Sequence, residues 1–319
     1  MKSKLQKIVS LVFTLSYLMA PVSADSAPIS LTLDSESTSS ALGPMQRVPV
    51  WSGGRMLRII DAGTTAPILS TYDERGALLT SVTFTIPGAH RMAVSAFCAG
   101  SDGTLAVSGW AENDEGVRTS FFATIPPSGP QRIVQTTPYA ATTIALAPDG
   151  TVWTSGSEYI DGREVTTDFH VVRHFDTSGK LLGSAIPRST LKRGFHAMGF
   201  MAAGSDRVGW YAGSYPRDEQ PNGHFEVRPD GTVRGVPGLI LAKGESVGAG
   251  LAVTEAGTFI STQTPNGTRL YVLDDATPQW RPVELPASTG NRGYLIGGEA
   301  ERLVWAGPNF TVQYFRISQ

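Results

Sequence analysis

The chain has 319 residues, 41% hydrophobic and 17% charged, with 35 glycines and 21 prolines, a composition that suits many short strands joined by turns rather than helices. Its net charge is −2 and no basic cluster follows the first residues, which leaves no electrostatic footprint for nucleic acid. The single cysteine excludes an internal disulfide, so a large core must hold the fold.

Residues 1–24 read as a secretory signal peptide. Lys2, Lys4 and Lys7 form a positive start, Ile8 to Ala20 is apolar, and Val22-Ser23-Ala24 is a small-residue cleavage site, with cleavage expected after Ala24. The apolar stretch is too short for a membrane anchor, and no cysteine follows it to carry a lipid. The expectation is a monomer secreted or held in the periplasm, with no membrane anchor. Residues 25–46 contain one strand, Ile29-Ser30-Leu31-Thr32-Leu33, which alternates strictly; the rest reads as a linker.

From residue 47 to 319 one unit recurs. An apolar run reaches a tight turn, a second strand leaves it, a longer loop follows, and a third and fourth strand flank a second turn. The pattern is clearest at Ile144–Trp153, where Asp149-Gly150 separates two β-rich runs. Glycine there supplies the positive φ that a two-residue primed hairpin turn needs. First turns fall at Ser52-Gly53-Gly54, Ser101-Asp102-Gly103, Pro148-Asp149-Gly150, Ser205-Asp206, Glu255-Ala256-Gly257 and Glu299-Ala300-Glu301. Second turns fall at Glu74-Arg75-Gly76, Pro127-Ser128-Gly129, Thr177-Ser178-Gly179, Pro229-Asp230-Gly231 and Ala276-Thr277-Pro278. Both series step by roughly fifty residues, the rhythm of four-stranded propeller blades.

The last unit has only three strands, Tyr294–Gly298, Arg302–Ala306 and Thr311–Ile317. The strand at Ile29–Leu33 can supply the missing fourth and hide the edges at the seam. The reading is an all-β, six-bladed β-propeller whose last blade is closed by an N-terminal strand. The alternatives are seven blades, or a pair of β-sandwiches.

Ala147-Pro148-Asp149-Gly150-Thr151-Val152-Trp153 and Arg228-Pro229-Asp230-Gly231-Thr232-Val233 resemble the hairpins of secreted bacterial propellers of the NHL-like, gluconolactonase-like and streptogramin-lyase-like kinds. The resemblance covers the repeat rhythm, and its motif is a turn; it implies the superfold and is nearly silent on activity. The acidic metal ligands of the gluconolactonase kind and the histidine of the lyase kind align with no position here, so neither activity is carried over.

The tight turns of a propeller share one face, and the longer loops share the other. Here the loops are the chemically varied set (Trp110–Arg118, Ser157–Asp168, Arg188–His196, Ser214–Gly223), which makes their face the better candidate for binding. His90-Arg91 and His196 stand where innermost strands begin, as do Tyr139 and Arg292. Those side chains are expected to converge near the mouth of the central channel, where paired histidines and arginines could bind an anion or exchange protons. Trp110 opens a loop and is the tryptophan expected to be exposed. Trp51, Trp153, Trp210 and Trp305 are expected between blades.

Cys98 lies in an apolar run and reads as a buried hydrophobe. The carboxylates of Glu112–Glu115 and of Glu158, Asp161, Glu164 and Asp168 match no calcium-binding repeat and read as solvated loops. His170 and His174 share a strand face but lack a third ligand for zinc. No cofactor or metal is expected. The leading expectation is a non-catalytic binding or scaffold module that engages a protein or glycan through its long-loop face. The alternative is an enzyme of lactonase, lyase or hydrolase type at the channel mouth.

Overall fold

The computed structural model describes residues 28–38, 50–160, 162–165, 169–191, 195–214, 223–275, 278–289, 293–307 and 311–318. Its repeated unit starts at the turn. In Ala147–Thr151, the Gly150 N–H donates to Ala147 O at 2.9 Å and the Ala147 N–H donates to Thr151 O at 2.9 Å. The Asp149 carboxylate accepts from the Thr151 N–H at 2.9 Å and the Thr151 hydroxyl at 2.7 Å. Gly150 has φ +82° whereas Asp149 is not left-handed. The loop is therefore a three-residue turn with one left-handed glycine, where the sequence suggested a two-residue primed turn. The aspartate makes the difference, because its side chain takes the backbone N–H that a primed turn would leave to the partner strand. The same device recurs at Asp73, Asp102, Asp176 and Asp230.

The first blade is β2 (Val50–Ser52), β3 (Arg55–Ile60), β4 (Ile68–Tyr72) and β5 (Leu78–Thr83). The second is β6 (Arg91–Ala99), β7 (Leu105–Glu112), β8 (Arg118–Ile125) and β9 (Arg132–Gln135). The third is β10 (Tyr139–Leu146), β11 (Val152–Ile160), β13 (His170–Phe175) and β14 (Leu181–Pro187), with a short β12 (Arg163–Glu164) paired to the end of β11. The fourth is β15 (Phe195–Ala203), β16 (Val208–Ser214), β17 (Gly223–Val227) and β18 (Val233–Pro237). The fifth is β19 (Ser246–Thr254), β20 (Gly257–Thr264), β21 (Gly267–Leu273) and β22 (Trp280–Val283). The sixth is β23 (Tyr294–Glu299), β24 (Arg302–Ala306) and β25 (Thr311–Ser318), with β1 (Ser30–Thr38) as its outermost strand. This is a six-bladed β-propeller.

Closure runs further than the alternation at Ile29–Leu33 suggested. β1 pairs with β25 from Ser30↔Ser318 to Thr38↔Thr311, with a bulge at Asp34 between Leu33 and Ser35. The bulge shifts the strand's period, which hides its second half from a period-2 reading. It also aims Asp34 at Arg302 (3.2 Å) and Arg316 (3.4 Å). Arg302 in turn grips Glu74 of the first blade at 2.6 and 3.2 Å. One guanidinium thus joins the N-terminal strand, the last blade and the first.

Apolar clusters fill the wedges between blades. Phe84 and Phe121 meet between blades one and two, and Phe122 and Phe175 between two and three. Trp153 and Trp210 share the wedge between three and four, while Trp305 fills that between five and six. Trp51 sits at 5.3 Å from Tyr314 across the seam. Burying each large side chain is worth roughly 1.5–3 kcal/mol. The tight-turn face adds polar links. Arg207 and Glu226, each nearly fully buried, approach to 3.3 Å. Arg207 also reaches Asp275 of the next blade at 3.5 Å, as does Arg234 at 3.3 Å. His224 is fully buried beside Glu226 at 3.6 Å.

Two predictions follow the architecture. Removing residues 1–38 exposes the edge of β25, frees Arg316 from Asp34 and leaves Arg302 with Glu74 alone; the truncated chain should unfold at a clearly lower temperature and aggregate, checked by thermal unfolding and size-exclusion chromatography. Acid should unfold the protein in two stages. Burial pushes the His224 and His174 imidazoles below their usual value. The unfolded chain then binds the protons more tightly, so stability falls as pH drops below about 6.5. Burial would raise the Glu226 carboxyl, but the neighbouring His224 imidazole, the hydrogen bond from the Thr258 hydroxyl and the charge of Arg207 bring it from 4.5 to about 2. Its contribution is present above pH 4.5 and is lost between there and about 2. Unfolding temperature measured against pH should show both losses, with the lower one absent in Glu226→Gln.

Candidate functional site

At the loop face of the second blade, β6 and β7 end side by side. The His90 N–H donates to Glu112 O at 2.9 Å. Its imidazole lies 3.6 Å from the Glu112 carboxylate and 3.8 Å from that of Asp114. Arg91 reaches the same Glu112 at 3.4 Å. The Arg118 guanidinium stacks on the Trp110 ring at 3.9 Å, and that of Arg91 lies 5.9 Å from it. Trp110 is half-buried under this cover. His90, Arg91 and Trp110 therefore form one cluster, neutralised by Glu112.

Tyr139 does not join it. Its side chain is fully buried in the third blade, where its hydroxyl donates to Val171 O at 2.8 Å and meets the Thr154 hydroxyl at 3.2 Å. Burial pushes the phenol well above its usual value, and the Arg173 guanidinium sits 4.0 Å from the ring. The start of a strand gave no hint of this, because a residue there faces the channel or the neighbouring wedge depending on where the strand's bulge falls. His196 lies on β15, but its side chain and the whole of Arg292 lie outside the described residues.

The acidic loops hold their own partners. Asn113 caps its turn by accepting from the Glu115 and Val117 N–H groups at 3.1 and 2.9 Å. Glu158 pairs with Arg173; Glu164 pairs with Arg188 at 3.4 Å and accepts from Ser157 at 2.8 Å. Asp161 and Asp168 lie outside the described residues. His174 stacks on Trp153 at 3.9 Å, inside the wedge between blades three and four. Among the described residues no three of His, Cys, Asp and Glu are grouped to hold a metal ion.

The central channel contains a feature that the sequence reading missed. A cavity of about 400 Å³ is lined by the turn-side halves of all six innermost strands. Among the described residues its lining begins at Val94, Thr142, Gly199, Gly250 and Ile296, below the strand starts, and His90, Arg91, Trp110 and Tyr139 are not part of it. Bulges in these strands open the space. Register shifts fall between Val94 and Ala96, Ala141 and Thr143, and Leu295 and Gly297. Glycines take the matching places on second strands: a Cβ on Gly109 would lie 2.1 Å from Ala93 O, and one on Gly156 2.2 Å from Ala140 O. Small residues at one offset of each repeat (Ser95-Ala96, Thr142-Thr143, Gly199) are the signal that could have found it. Cys98 lies on this lining, and burial pushes its thiol up to about 12.

No family model and no curated protein sequence matches the chain. Solved structures do resemble it. A protein of unknown function from Dyadobacter fermentans is 10% identical over 90% of this chain and 99% of its own, with a TM-score of 0.50. Glucose dehydrogenase is 9% identical over 91% of this chain and 99% of its own, with a TM-score of 0.48. The Dos1 propeller is 10% identical over 83% of this chain and 77% of its own, with a TM-score of 0.45. The class is defined by the six four-stranded sheets themselves: the chain is a six-bladed propeller protein.

The thiol offers a direct check on the burial of the channel wall. A thiol with a pKa near 12 holds almost no thiolate at neutral pH. Cys98 should resist an aromatic disulfide reagent in the native protein and react within seconds to minutes in denaturant, read as absorbance of the released thiolate.

Proposed function

We propose that this chain is an exported, non-catalytic binding module that engages a protein or glycan through the loop face of its propeller. One observation carries the reading. On the loop ends of blades two and three, Val117, Tyr159 and Ile160 are 54%, 43% and 59% exposed, beside the Arg118–Trp110 stack. The two loop ends are neighbours: burial and Glu164 raise the Tyr159 phenol, while Ser157 and Arg118 of the adjoining blade act to lower it. β12 stiffens the projecting ribbon by pairing Tyr159↔Glu164 and Ile160↔Arg163. Single exposed apolar side chains are ordinary, but an aromatic, two branched aliphatics and an arginine held together on rigid strand ends have the composition of a recognition surface. Export is supported by the apolar stretch at Ile8–Ala20 and the small residues that follow it. Among the described residues no helix is long and apolar enough to cross a membrane.

The test uses the chain from Asp25 on a glycan array and against purified exported proteins of its host. Wild type and His90→Ala should bind one ligand class alike, and Tyr159→Ala/Ile160→Asp should bind it at least about tenfold more weakly, as loss of an aromatic anchor requires. A ligand indifferent to Tyr159 and Ile160 would overturn the surface. Turnover of a lactone or ester that vanishes in His90→Ala would replace the module with an enzyme at the channel mouth.

A further inference from the structure

We propose that the turn-side half of the central channel is a second binding site, built for a small apolar molecule that carries a positive charge, such as an ammonium on an aromatic body. The inference is independent of the loop-face reading. Three features of the cavity support it. Its volume of about 400 Å³ falls in the range of small-molecule sites, roughly 300–1,000 Å³. Its walls include Leu57, Ile59, Val94, Phe200, Met201 and Leu251, which give an apolar body dispersion contacts and give a cation an aromatic face. Among the described residues its lining has no lysine, arginine or histidine, and its charged side chains are those of Glu255 and Glu299.

These two carboxylates stand in consecutive turns at the channel's end. The Glu255 N–H donates to Ala300 O at 3.2 Å, which ties the two turns together. Glu299 accepts from the Gly54 N–H of the first blade. Other acids on this face have work inside the fold: Asp206, Glu226, Asp274, Asp275 and Glu74 pair with arginines. Asp102, Asp149 and Asp230 cap turns. Arg302, whose charge also acts on Glu299, is held by Glu74 and Asp34. Among the described residues neither Glu255 nor Glu299 has an ion-pair partner. Burial acts on Glu299 to raise its carboxyl. Glu299 is half-buried and Glu255 exposed, at the end of a chamber lined by apolar side chains and by hydroxyls such as those of Thr142, Thr143 and Thr254. There an incoming ammonium gains charge from Glu299 in a partly desolvated place.

The experiment is calorimetric titration of the full mature chain with 2-phenylethylammonium and with its uncharged counterpart, 2-phenylethanol. Wild type should bind the ammonium about tenfold more tightly than the alcohol. Glu255→Gln/Glu299→Gln should reduce the ammonium to the affinity of the alcohol and leave the alcohol unchanged. Met201→Phe, which narrows the chamber without adding charge, should weaken both probes and serves if the glutamine variant does not fold. Absence of saturable binding by either probe overturns the site. Equal affinity for the two in wild type, or an ammonium affinity that survives the glutamine variant, overturns the charge selection. Loop-face variants at Tyr159 and Ile160 should leave both titrations unaltered, which separates failure of this inference from failure of the loop-face reading.

Discussion

The pairing of Ser30–Thr38 with Thr311–Ser318 places both ends of the described chain in one sheet, and each of the other blades depends on that closure. A four-stranded sheet alone buries one face poorly and leaves two edges; six of them in a ring bury both faces against neighbours. The ring is complete only when the last blade has its outer strand. Arg302 extends the closure beyond backbone pairing, because its guanidinium is shared between Asp34 of the closing strand and Glu74 of the first blade. The wedges of aromatic side chains, Trp51 against Tyr314 and Trp153 beside Trp210, then become a continuous belt rather than a stack with two open ends.

The two faces of the ring divide labour by physics. On the turn face each loop is short, so its residues satisfy themselves: aspartates cap glycine turns and arginines reach one repeat forward to a backbone carbonyl of the next blade. Arg234 to Asp274 O at 2.9 Å and Arg132 to Thr177 O at 2.9 Å are two instances of that forward reach. On the loop face the connections are longer and follow no such rule. There the chain can place Tyr159 and Ile160 on a ribbon that the fold does not need. Surface that does nothing for stability is where recognition can be built.

The centre of the ring follows from a third constraint. Six strands converging on an axis crowd one another, and the bulges at Ser95, Thr142 and Ile296, with Gly109 and Gly156 opposite two of them, relieve the crowding. Relief leaves space, and the side chains around it decide what that space accepts. Largely apolar walls with two glutamates at one end, neither of which has an ion-pair partner among the described residues, make a chamber unlike the neutralised cluster of His90, Arg91 and Glu112 at the loop face.

The order of strands, the number of blades, the N-terminal closure and the places of the turns among the described residues (Ala276 and Thr277 lie outside them) were legible in the sequence, because each depends on local chemistry repeated along the chain. Asp149-Gly150, Asp230-Gly231 and their equivalents force turns wherever they stand, and counting them yields the ring. The burial of Trp51, Trp153, Trp210 and Trp305 followed from their regular placement. The site was less legible. Tyr139 and His90 both stand where innermost strands begin, yet the first is sealed in a wedge and the second faces carboxylates, while Trp110, near the end of a second strand, lies under Arg118. Those outcomes turn on which face each strand presents after its bulge and on which side chain of the neighbouring blade stands opposite. The cavity, too, is made by six segments separated by roughly fifty residues each, and no single segment carries its shape. Sequence alone determined the architecture, since turns and strand periods are short-range; only the tertiary structure decided where a ligand can enter, since that depends on residues meeting across blades.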